Sequence, residues 1–164
     1  MKYFGECTTA EEVKKLYRKL ASKLHPDANP DRDTTAEFQE MQAEFEVVFE
    51  NLKTWHVNKD GVRYEKETSE TAEEFMNLIN QLLKLNGIEV ELCGSWIWVT
   101  GDTKPVKEEL KVLGFRYSKN KTAWYFHKEP YRKRSKRSMT LNDIRNMYGS
   151  KQYRREEEER LALA

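Results

Sequence analysis

The fold of the first third of this chain is decided by residues 17–30, which read Tyr17-Arg18-Lys19-Leu20-Ala21-Ser22-Lys23-Leu24-His25-Pro26-Asp27-Ala28-Asn29-Pro30. The apolar positions around this stretch recur with the spacing of one helix face: Val13, Leu16, Tyr17, Leu20 and Leu24. A residue that precedes proline is disfavoured in the α region, so the helix must end near His25. The stretch therefore predicts an amphipathic helix that stops at a proline-stiffened corner.

A second helix of similar length is predicted after the polar loop. Thr34 and Glu37 have the spacing of a capping box at its start. One side of the following segment is apolar, with Phe38, Met41, Phe45, Val48, Phe49 and Leu52. Two such helices joined by a short loop favour an antiparallel pair. We expect its contacts to join two sets of residues: Leu16, Leu20 and Leu24 on one helix, and Phe38, Met41 and Phe45 on the other.

The rest of the chain predicts a second kind of architecture. Residues 56–69 read as a linker, and a third helix starts at the capping box of Thr71 and Glu74 and ends at Asn86-Gly87. From Ile88 the apolar residues alternate, which predicts two strands, a short helix and two more strands, followed by a helix after Thr140. The expected fold class is α+β: an antiparallel helical hairpin, a linker and helix, then a small ββαββ domain with a C-terminal helix. The domains would be 1–55, a linker at 56–69, 70–150, and a charged tail at 151–164.

Composition excludes several classes of protein. The chain has 164 residues, of which 35% are charged, and no apolar run approaches the ~20 residues of a membrane helix. The N-terminus shows no signal-peptide pattern, so we expect a cytoplasmic protein without membrane association. Cys7 and Cys93 stand far apart and indicate neither a metal site nor a disulfide. Residues 86–129 show no phosphate-binding glycine loop and no nucleophile–base set, so we expect no enzymatic activity and no cofactor.

The net charge of +1 conceals an asymmetry. Residues 1–90 hold 12 basic and 18 acidic side chains, a net −6, whereas residues 91–155 hold 16 basic and 6 acidic ones, a net +10. Four consecutive glutamates, 156–159, then offset part of the excess. Such a split indicates two modules with different partners.

His25-Pro26-Asp27, in its context, carries a family resemblance. A basic amphipathic helix containing Tyr17-Arg18-Lys19-Leu20-Ala21 precedes it, Asn29-Pro30 follows it, and a matching helix comes after it. Residues 1–55 thereby resemble the J domain of the DnaJ co-chaperones. The sequence lacks a Gly/Phe-rich stretch and a Cys-x-x-Cys repeat, and so resembles a minimal form, similar to short J proteins of bacterial mobile elements and phages.

The resemblance implies a partner and a docking surface. The partner would be a DnaK-type heat-shock protein 70, whose ATP hydrolysis the module would stimulate. The implied contact residues are His25, Pro26, Asp27, Lys14, Arg18, Lys19, Lys23 and Asn29. The chain departs from the family pattern at Ala28, where a basic residue is common, and at Glu44, where a small alanine is usual.

The C-terminal module leaves two functional interpretations open. It could be an adaptor that selects a client protein for the chaperone, or it could bind nucleic acid. In the second case aromatic side chains would stack on bases and basic ones would hold phosphates. The candidates are Trp96, Trp98, Trp124, Phe126, Arg116, Lys119, Lys121, Lys128, Arg132, Lys133, Arg134, Lys136 and Arg137. The aromatic residues can equally be core, because the alternation along a strand does not say which face is covered.

Overall fold

The computed structural model of the chain describes residues 1–128, 139–148 and 153–154. These residues form two compact units, which comprise Met1–Lys84 and Leu85–Arg154. The α+β class predicted from the sequence is confirmed. No helix in the described part of the chain has the length and apolar content to cross a membrane.

The first unit consists of three helices and a small hairpin. Its elements are α1 (Ala10–Leu24), α2 (Thr35–Leu52), β1 (Trp55–Val57), β2 (Arg63–Glu65) and α3 (Ala72–Leu83). The Thr9 side chain caps α1 by accepting a hydrogen bond from the backbone N–H of Glu12, and α3 begins with the predicted capping box of Thr71 and Glu74. The expected domain boundaries separated α3 from the first two helices, whereas the structure places it in the same unit.

The core of the first unit is aromatic and is shared by all three helices. Tyr17 of α1, Phe45 of α2 and Phe75 of α3 are fully buried, with ring centroids 4.4 Å apart for Tyr17–Phe45 and 5.7 Å for Phe45–Phe75. The expected stripe on α1 is confirmed at Val13 and Tyr17, which are completely buried together with Ala21, whereas Leu16, Leu20 and Leu24, expected at the helix contact, are only half-buried. Tyr17 also contacts Phe75 of α3, which a prediction based on a two-helix pair could not include.

A hairpin replaces the predicted linker. Strands β1 and β2 pair antiparallel, with His56 opposite Tyr64. The turn between them uses Gly61 at φ +78°, a left-handed conformation that favours glycine, and the Asn58 side chain accepts hydrogen bonds from Asp60 N and Val62 N, both at 2.9 Å. Residues 56–69 therefore contribute structure of their own.

The hydrogen bonds of the loop between α1 and α2 differ from the predicted capping box of Thr34 and Glu37. The Thr34 hydroxyl is buried and donates to the carbonyl of Leu24 at 2.7 Å, so it closes the end of α1. At the start of α2, the carboxylate of Asp33 accepts a hydrogen bond from Thr35 N at 3.0 Å. That backbone hydrogen bond lowers the pKa of Asp33.

The second unit is built on an antiparallel sheet of five strands in the order β5-β6-β4-β3-β7. Its elements are β3 (Ile88–Cys93), β4 (Trp96–Gly101), α4 (Lys107–Val112), β5 (Arg116–Ser118), β6 (Ala123–Phe126), α5 (Leu141–Tyr148) and β7 (Tyr153–Arg154). The predicted strand–strand–helix–strand–strand order is confirmed, and β7 adds a short edge strand beside β3. On one face of the sheet, Leu141 and Ile144 of α5 pack against Cys93 and Trp98.

Candidate functional site

The corner between α1 and α2 is formed by His25, Pro26 and Asp27. α1 ends at Leu24, and Pro26–Ala28 form a single 3₁₀ turn whose first residue is the proline. Pro26 is exposed, and the Asp27 side chain is 70% exposed. Since proline fixes φ, the carboxylate of Asp27 is held outward on a stiff support.

His25 is placed differently from its neighbours. Its side chain is only 17% exposed, and its ring lies edge-on against Phe38, with 5.4 Å between the centroids. The His25 Nδ1 atom accepts a hydrogen bond from Asp27 N at 3.2 Å, so in the neutral imidazole the proton lies on Nε2. As an implied contact residue, His25 would point its imidazole outward, but packing on Phe38 and the hydrogen bond to the turn hold the ring against the protein.

Asn29 also has a structural task. Its side-chain amide donates to the carbonyls of Lys23 and His25, at 2.7 and 3.0 Å. The Lys23 carbonyl lies at the end of α1, where no further helical turn satisfies it, whereas the His25 carbonyl also accepts from Ala28 N at 3.0 Å. Asn29 thus stabilises the corner from within, while Pro26 and Asp27 form its outer surface.

The basic residues of α1 do not lie on one common surface. Lys19 is exposed and Lys23 is half-buried, as a docking surface requires. Lys14 and Arg18, however, are each only 5% exposed, so the predicted basic face is divided. Lys14 Nζ donates to Glu70 at 2.7 Å and lies 4.8 Å from the centroid of the Phe75 ring. The prediction that Lys14 and Arg18 face solvent is wrong, because both are buried, and Glu70, in the segment that leads into α3, covers Lys14.

A second covered polar contact lies nearer the start of α1. The carboxylate of Glu11 is 2.8 Å from Nδ1 of His56, and the other ring nitrogen of His56 is 3.1 Å from the carbonyl of Lys66. Both acceptors are satisfied at once only by the imidazolium, which has two N–H donors. The hydrogen bond to Glu11 accordingly raises the pKa of His56, although burial opposes the shift.

Glu44 anchors the N-terminal segment. Its carboxylate accepts from the backbone N–H groups of Lys2, Tyr3 and Phe4, at 3.0, 2.9 and 2.9 Å. Burial disfavours the charged form of Glu44, but the three donors outweigh it and lower its pKa. The Phe4 side chain is thereby held in the core, with its ring 5.7 Å from that of Phe45. The departure from a small residue at position 44 is therefore accounted for by this contact.

The predicted stacking platform in the second unit is not formed as expected. Trp98 lies opposite Tyr125 and Val99 lies opposite Trp124, so the two tryptophans point to different faces of the sheet. Both are core residues, with exposures of 4% and 7%. Of the two interpretations left open, the structure supports the core for Trp98 and Trp124, because alternation fixes which residues share a face but not whether that face is covered.

The remaining candidates of the second unit are placed as follows. Trp96 is half-buried and stacks on His127, with the ring centroids 4.3 Å apart. Arg116 and Lys119 are exposed, whereas Lys121 is half-buried, with Nζ 5.9 Å from the centroid of the Trp98 ring. The predicted basic residues Arg132, Lys133, Arg134, Lys136 and Arg137 lie outside the described residues.

Three contacts of the first unit escaped the sequence prediction: Glu70 on Lys14, His56 on Glu11, and Glu44 on the N-terminal backbone. A signal existed for the hairpin that carries His56, because Asp60-Gly61 lies between two β-rich segments and is typical of a tight turn. Glu70 and Glu44 gave no comparable signal. Their partners are distant in sequence and become neighbours only when α3 and the N-terminal segment fold against α1 and α2.

The fold and the site define a helical hairpin with a proline-stiffened corner, followed in the chain by a small α+β unit. A family model described as the DnaJ domain matches residues 5–54. Chaperone protein DnaJ of Geobacillus stearothermophilus is 42% identical over 53 residues, which is 32% of this chain and 14% of that protein. Chaperone protein DnaJ 1 of Nocardia farcinica is 43% identical over the same length. Residues 5–54 of this chain therefore form a DnaJ domain.

The match is confined to that domain. The chain spans only 14% of the length of the first of these relatives, and the aligned part is 32% of the chain. No solved structure matches the chain significantly. The similarity therefore concerns the J domain alone and does not extend over the second unit.

Proposed function

We propose that this chain is a co-chaperone that docks on a DnaK-type heat-shock protein 70 and stimulates its ATP hydrolysis. The observation that carries the proposal is the Asp27 carboxylate, 70% exposed beside Pro26, at the corner of a helical hairpin that matches the DnaJ domain. An exposed carboxylate on a rigid turn can accept a charge-assisted hydrogen bond from an arginine of the partner. The side chain contributes little to the core, which supports a role in contact with another molecule.

The residues of the corner have different proposed roles because their side chains are placed differently. His25 and Asn29 shape the turn from inside, and Asp27 makes the contact. Exposed lysines on α1 add a positive potential that attracts an acidic partner and sets its orientation. ATP is hydrolysed by the partner, and this chain has no catalytic part in the reaction.

ATP turnover of a DnaK-type chaperone, measured with and without the full chain, tests this proposal. We expect Asp27→Asn to lower the stimulation by more than tenfold, because removing one partner of a buried charge pair at an interface costs about 2 kcal/mol or more. We expect the same direction for His25→Gln, because the turn loses its cap. Asp31→Asn is the matched control, since it removes an exposed carboxylate from the same loop. Equal stimulation by the Asp27 and Asp31 variants would overturn the role of the corner.

The second unit is proposed to select the target. As an adaptor, it would bring a client protein to the chaperone that the J domain recruits. Its charge favours a second candidate, nucleic acid, because residues 91–155 have a net charge of +10, with 16 basic and 6 acidic side chains. With Trp98 and Trp124 in the core, the binding would depend on phosphate contacts from exposed residues such as Arg116 and Lys119.

Salt titration of DNA binding by the full chain distinguishes the two candidates. Phosphate contacts release counterions, so the double variant Arg116→Gln/Lys119→Gln would reduce the slope of log affinity against log salt by about 2. Val112→Ser, at another exposed position of this unit, serves as the control. A wild-type chain that does not bind DNA near physiological salt leaves the adaptor as the function of this unit.

A further inference from the structure

One face of the sheet in the second unit carries a continuous row of four side chains. The register pairs Glu91 with Trp98, Trp98 with Tyr125, and Tyr125 with Arg116. Side chains of directly paired residues lie on the same side of a sheet, so the row crosses β3, β4, β6 and β5 in that order. We call this side the α5 face, since Leu141 of α5 packs on it against Trp98.

Burial falls along this row. Glu91 and Trp98 are 2% and 4% exposed, whereas Tyr125 is half-buried and Arg116 is exposed. Arg145 of α5 binds Glu91 at 2.6 Å, so α5 covers the β3 end of the row. The end formed by β6 and β5 is therefore the more accessible part of the α5 face.

Aromatic rings of this face lie nearly parallel to one another. Trp96 stacks on Trp98, with 6.0 Å between centroids and 16° between planes, and on His127, with 4.3 Å and 13°. Ser95 Oγ lies 2.8 Å from Nε2 of His127, and this hydrogen bond fixes the plane of the imidazole. The Tyr125 ring lies 5.8 Å from that of Trp96. Because the rings are held in advance, stacking on another flat group would cost little conformational entropy.

The charges of the α5 face are separated. Lys121 Nζ lies 5.9 Å from the centroid of the Trp98 ring, and Arg116 ends the row beside Tyr125. Within strands β3 to β6, the carboxylates of this face belong to Glu89 and Glu91, both on β3 at the covered end. A polyanion would therefore be attracted to the β6 and β5 end, where the cations lie beside the rings.

Rings next to cations match the chemistry of a single-stranded nucleic acid. Unpaired bases offer flat surfaces that stack on aromatic side chains, while their phosphates bind lysine and arginine. A duplex presents only the edges of its bases in the grooves, so it could use the cations but not the rings. An apolar segment of a client protein could use the rings but would gain nothing from the cations.

We propose that the α5 face binds single-stranded nucleic acid, with bases on the rings of Trp96, Tyr125 and His127 and phosphates on Arg116 and Lys121. This inference rests on the second candidate of the proposed function and specifies its ligand and its surface. The rings add base stacking to the phosphate contacts, and this preference for unpaired bases is what distinguishes the site from a general basic surface.

Binding of a short oligothymidylate strand to the full chain tests the role of the rings. Trp96→Leu should weaken the affinity by about tenfold, because stacking of one base on an aromatic side chain contributes about 1–3 kcal/mol. Tyr117→Leu is the matched control: Tyr117 is 47% exposed, but it pairs with Trp124 and so lies on the opposite face. It should change the affinity less than about twofold. Equal effects of the two substitutions would overturn the inference.

The salt dependence of the same binding tests the cations. Arg116→Gln/Lys121→Gln should reduce the slope of log affinity against log salt by about 1.4, since each phosphate contact on a single strand contributes about 0.7. Lys104→Gln/Lys107→Gln removes two exposed lysines of the same unit and should change the slope much less. The same reduction in both double variants would overturn the assignment of the phosphates to Arg116 and Lys121.

Competition experiments with the wild-type chain separate this inference from the function on which it rests. A duplex that binds more tightly than the single strand would overturn the inference and leave nucleic-acid binding in place. A chain that binds neither would overturn both. If Trp96→Leu weakened binding of a permanently unfolded protein and left oligothymidylate binding unchanged, the rings would belong to a client site, and the inference would be overturned.

Photochemical cross-linking tests the site without any substitution. A single strand that contains iododeoxyuridine, irradiated in complex with the wild-type chain, should become attached to Trp96, Tyr125 or His127. Peptide mass spectrometry locates the attachment. Cross-links found only elsewhere, as at Tyr117, would overturn the inference even if Trp96→Leu failed to fold.

Discussion

Each unit of the molecule buries an acidic side chain against a basic one, but the two ion pairs have different structural roles. In the first unit, Lys14 and Glu70 are both covered, with side-chain exposures of 7% and 8%. In the second unit, Glu91 is 2% exposed but its partner Arg145 is 24% exposed, and the guanidinium reaches both carboxylate oxygens at 2.6–3.0 Å. The first pair removes a charged residue from the surface, whereas the second attaches a short surface helix to a sheet.

The difference is explained by what lies around each pair. Lys14–Glu70 joins α1 to the segment before α3, and the lysine lies over the ring of Phe75 of α3. Arg145 belongs to α5, an eight-residue helix, which is too short to be stable without tertiary contacts. The main free-energy cost at Lys14–Glu70 is therefore desolvation of the two charges, whereas Glu91–Arg145 mainly attaches α5 to the sheet. Substitutions at each pair should separate these two cases.

The largest effect is expected from Glu70→Ala. This change leaves the ammonium group of Lys14 buried without its carboxylate, which costs about 3–5 kcal/mol of folding free energy. The double variant Lys14→Met/Glu70→Leu replaces the pair with apolar groups of similar size and should recover most of that loss. Urea unfolding of both variants measures the difference. A loss below about 1 kcal/mol for Glu70→Ala would mean that the pair is not desolvated as described.

A smaller and more local effect is expected from Glu91→Gln. Arg145 is already partly solvated, so the change should lower the free energy of unfolding by about 2 kcal/mol. We expect the effect to be confined to the packing of α5 on the sheet. Cys93, fully buried beside Leu141, should then react faster with a thiol reagent. The assay uses a Cys7→Ser background, because Cys7 is the other free cysteine. Glu109→Gln, an exposed site in the same unit, should leave the rate unchanged, and an equal rate in both variants would contradict the attachment role.

Glu44 extends the comparison to a carboxylate paired with backbone donors. Glu44→Ala should destabilise the chain by about 1–2 kcal/mol, since three N–H groups of the N-terminal segment lose a charged acceptor. The pKa of Glu44 is lower in the folded chain than its ordinary value near 4.5. Its contribution is therefore complete above the unfolded pKa and is lost as the pH falls through the folded pKa. Urea unfolding from pH 7 down to pH 3 should show this acid loss in the wild type and in the control Glu46→Gln but not in Glu44→Ala.

The smallest effect is expected from His56. Its contribution to stability is lost as the pH rises, whereas that of Glu44 is lost as the pH falls. Its pKa is raised above the ordinary 6.5 by the bond to Glu11, so the stabilisation is complete below about pH 6.5 and is lost as the pH rises through the folded pKa. His56→Gln should cost about 1 kcal/mol at pH 6 and should make stability less dependent on pH between 6 and 9. Denaturation at several pH values measures this slope. The same slope in the wild type and in the variant would contradict the imidazolium assignment.

Local signals allowed much of the fold to be predicted. Helix ends were found where a chemical reason for them lies nearby in sequence, as at Thr71–Glu74 and at Pro26. The strands from Ile88 onward followed from alternation, and their order in the chain was confirmed. The hairpin at Trp55–Glu65 was missed because three-residue strands give too short a pattern, although its Asp-Gly turn was visible.

The candidate site was predictable only in part. The proline at position 26 cannot continue a helix, and this explains why an exposed corner could be expected there. The basic face of α1 was predicted as one surface because Lys14, Arg18, Lys19 and Lys23 all lie away from the apolar stripe. Nothing local to α1 indicates that Lys14 and Arg18 would be buried, since Glu70, which covers Lys14, lies 56 residues further along the chain. The same limit applies to Trp98 and Trp124, whose burial depends on what packs over each face of the sheet.

The sequence by itself determined the three long helices, the strands from Ile88 to Phe126 and the stiff corner at residues 25–27, because helix stops, caps and alternation act between residues close in the chain. The resemblance to the DnaJ domain rests on His25-Pro26-Asp27 in its context. Only the tertiary structure decided which charges face solvent. Lys14 and Lys19 are the same residue type, five positions apart on one helix, yet one is buried against Glu70 and the other is exposed. The physical reason is that burial depends on a segment more than 50 residues away, whose approach to α1 is driven by the aromatic core.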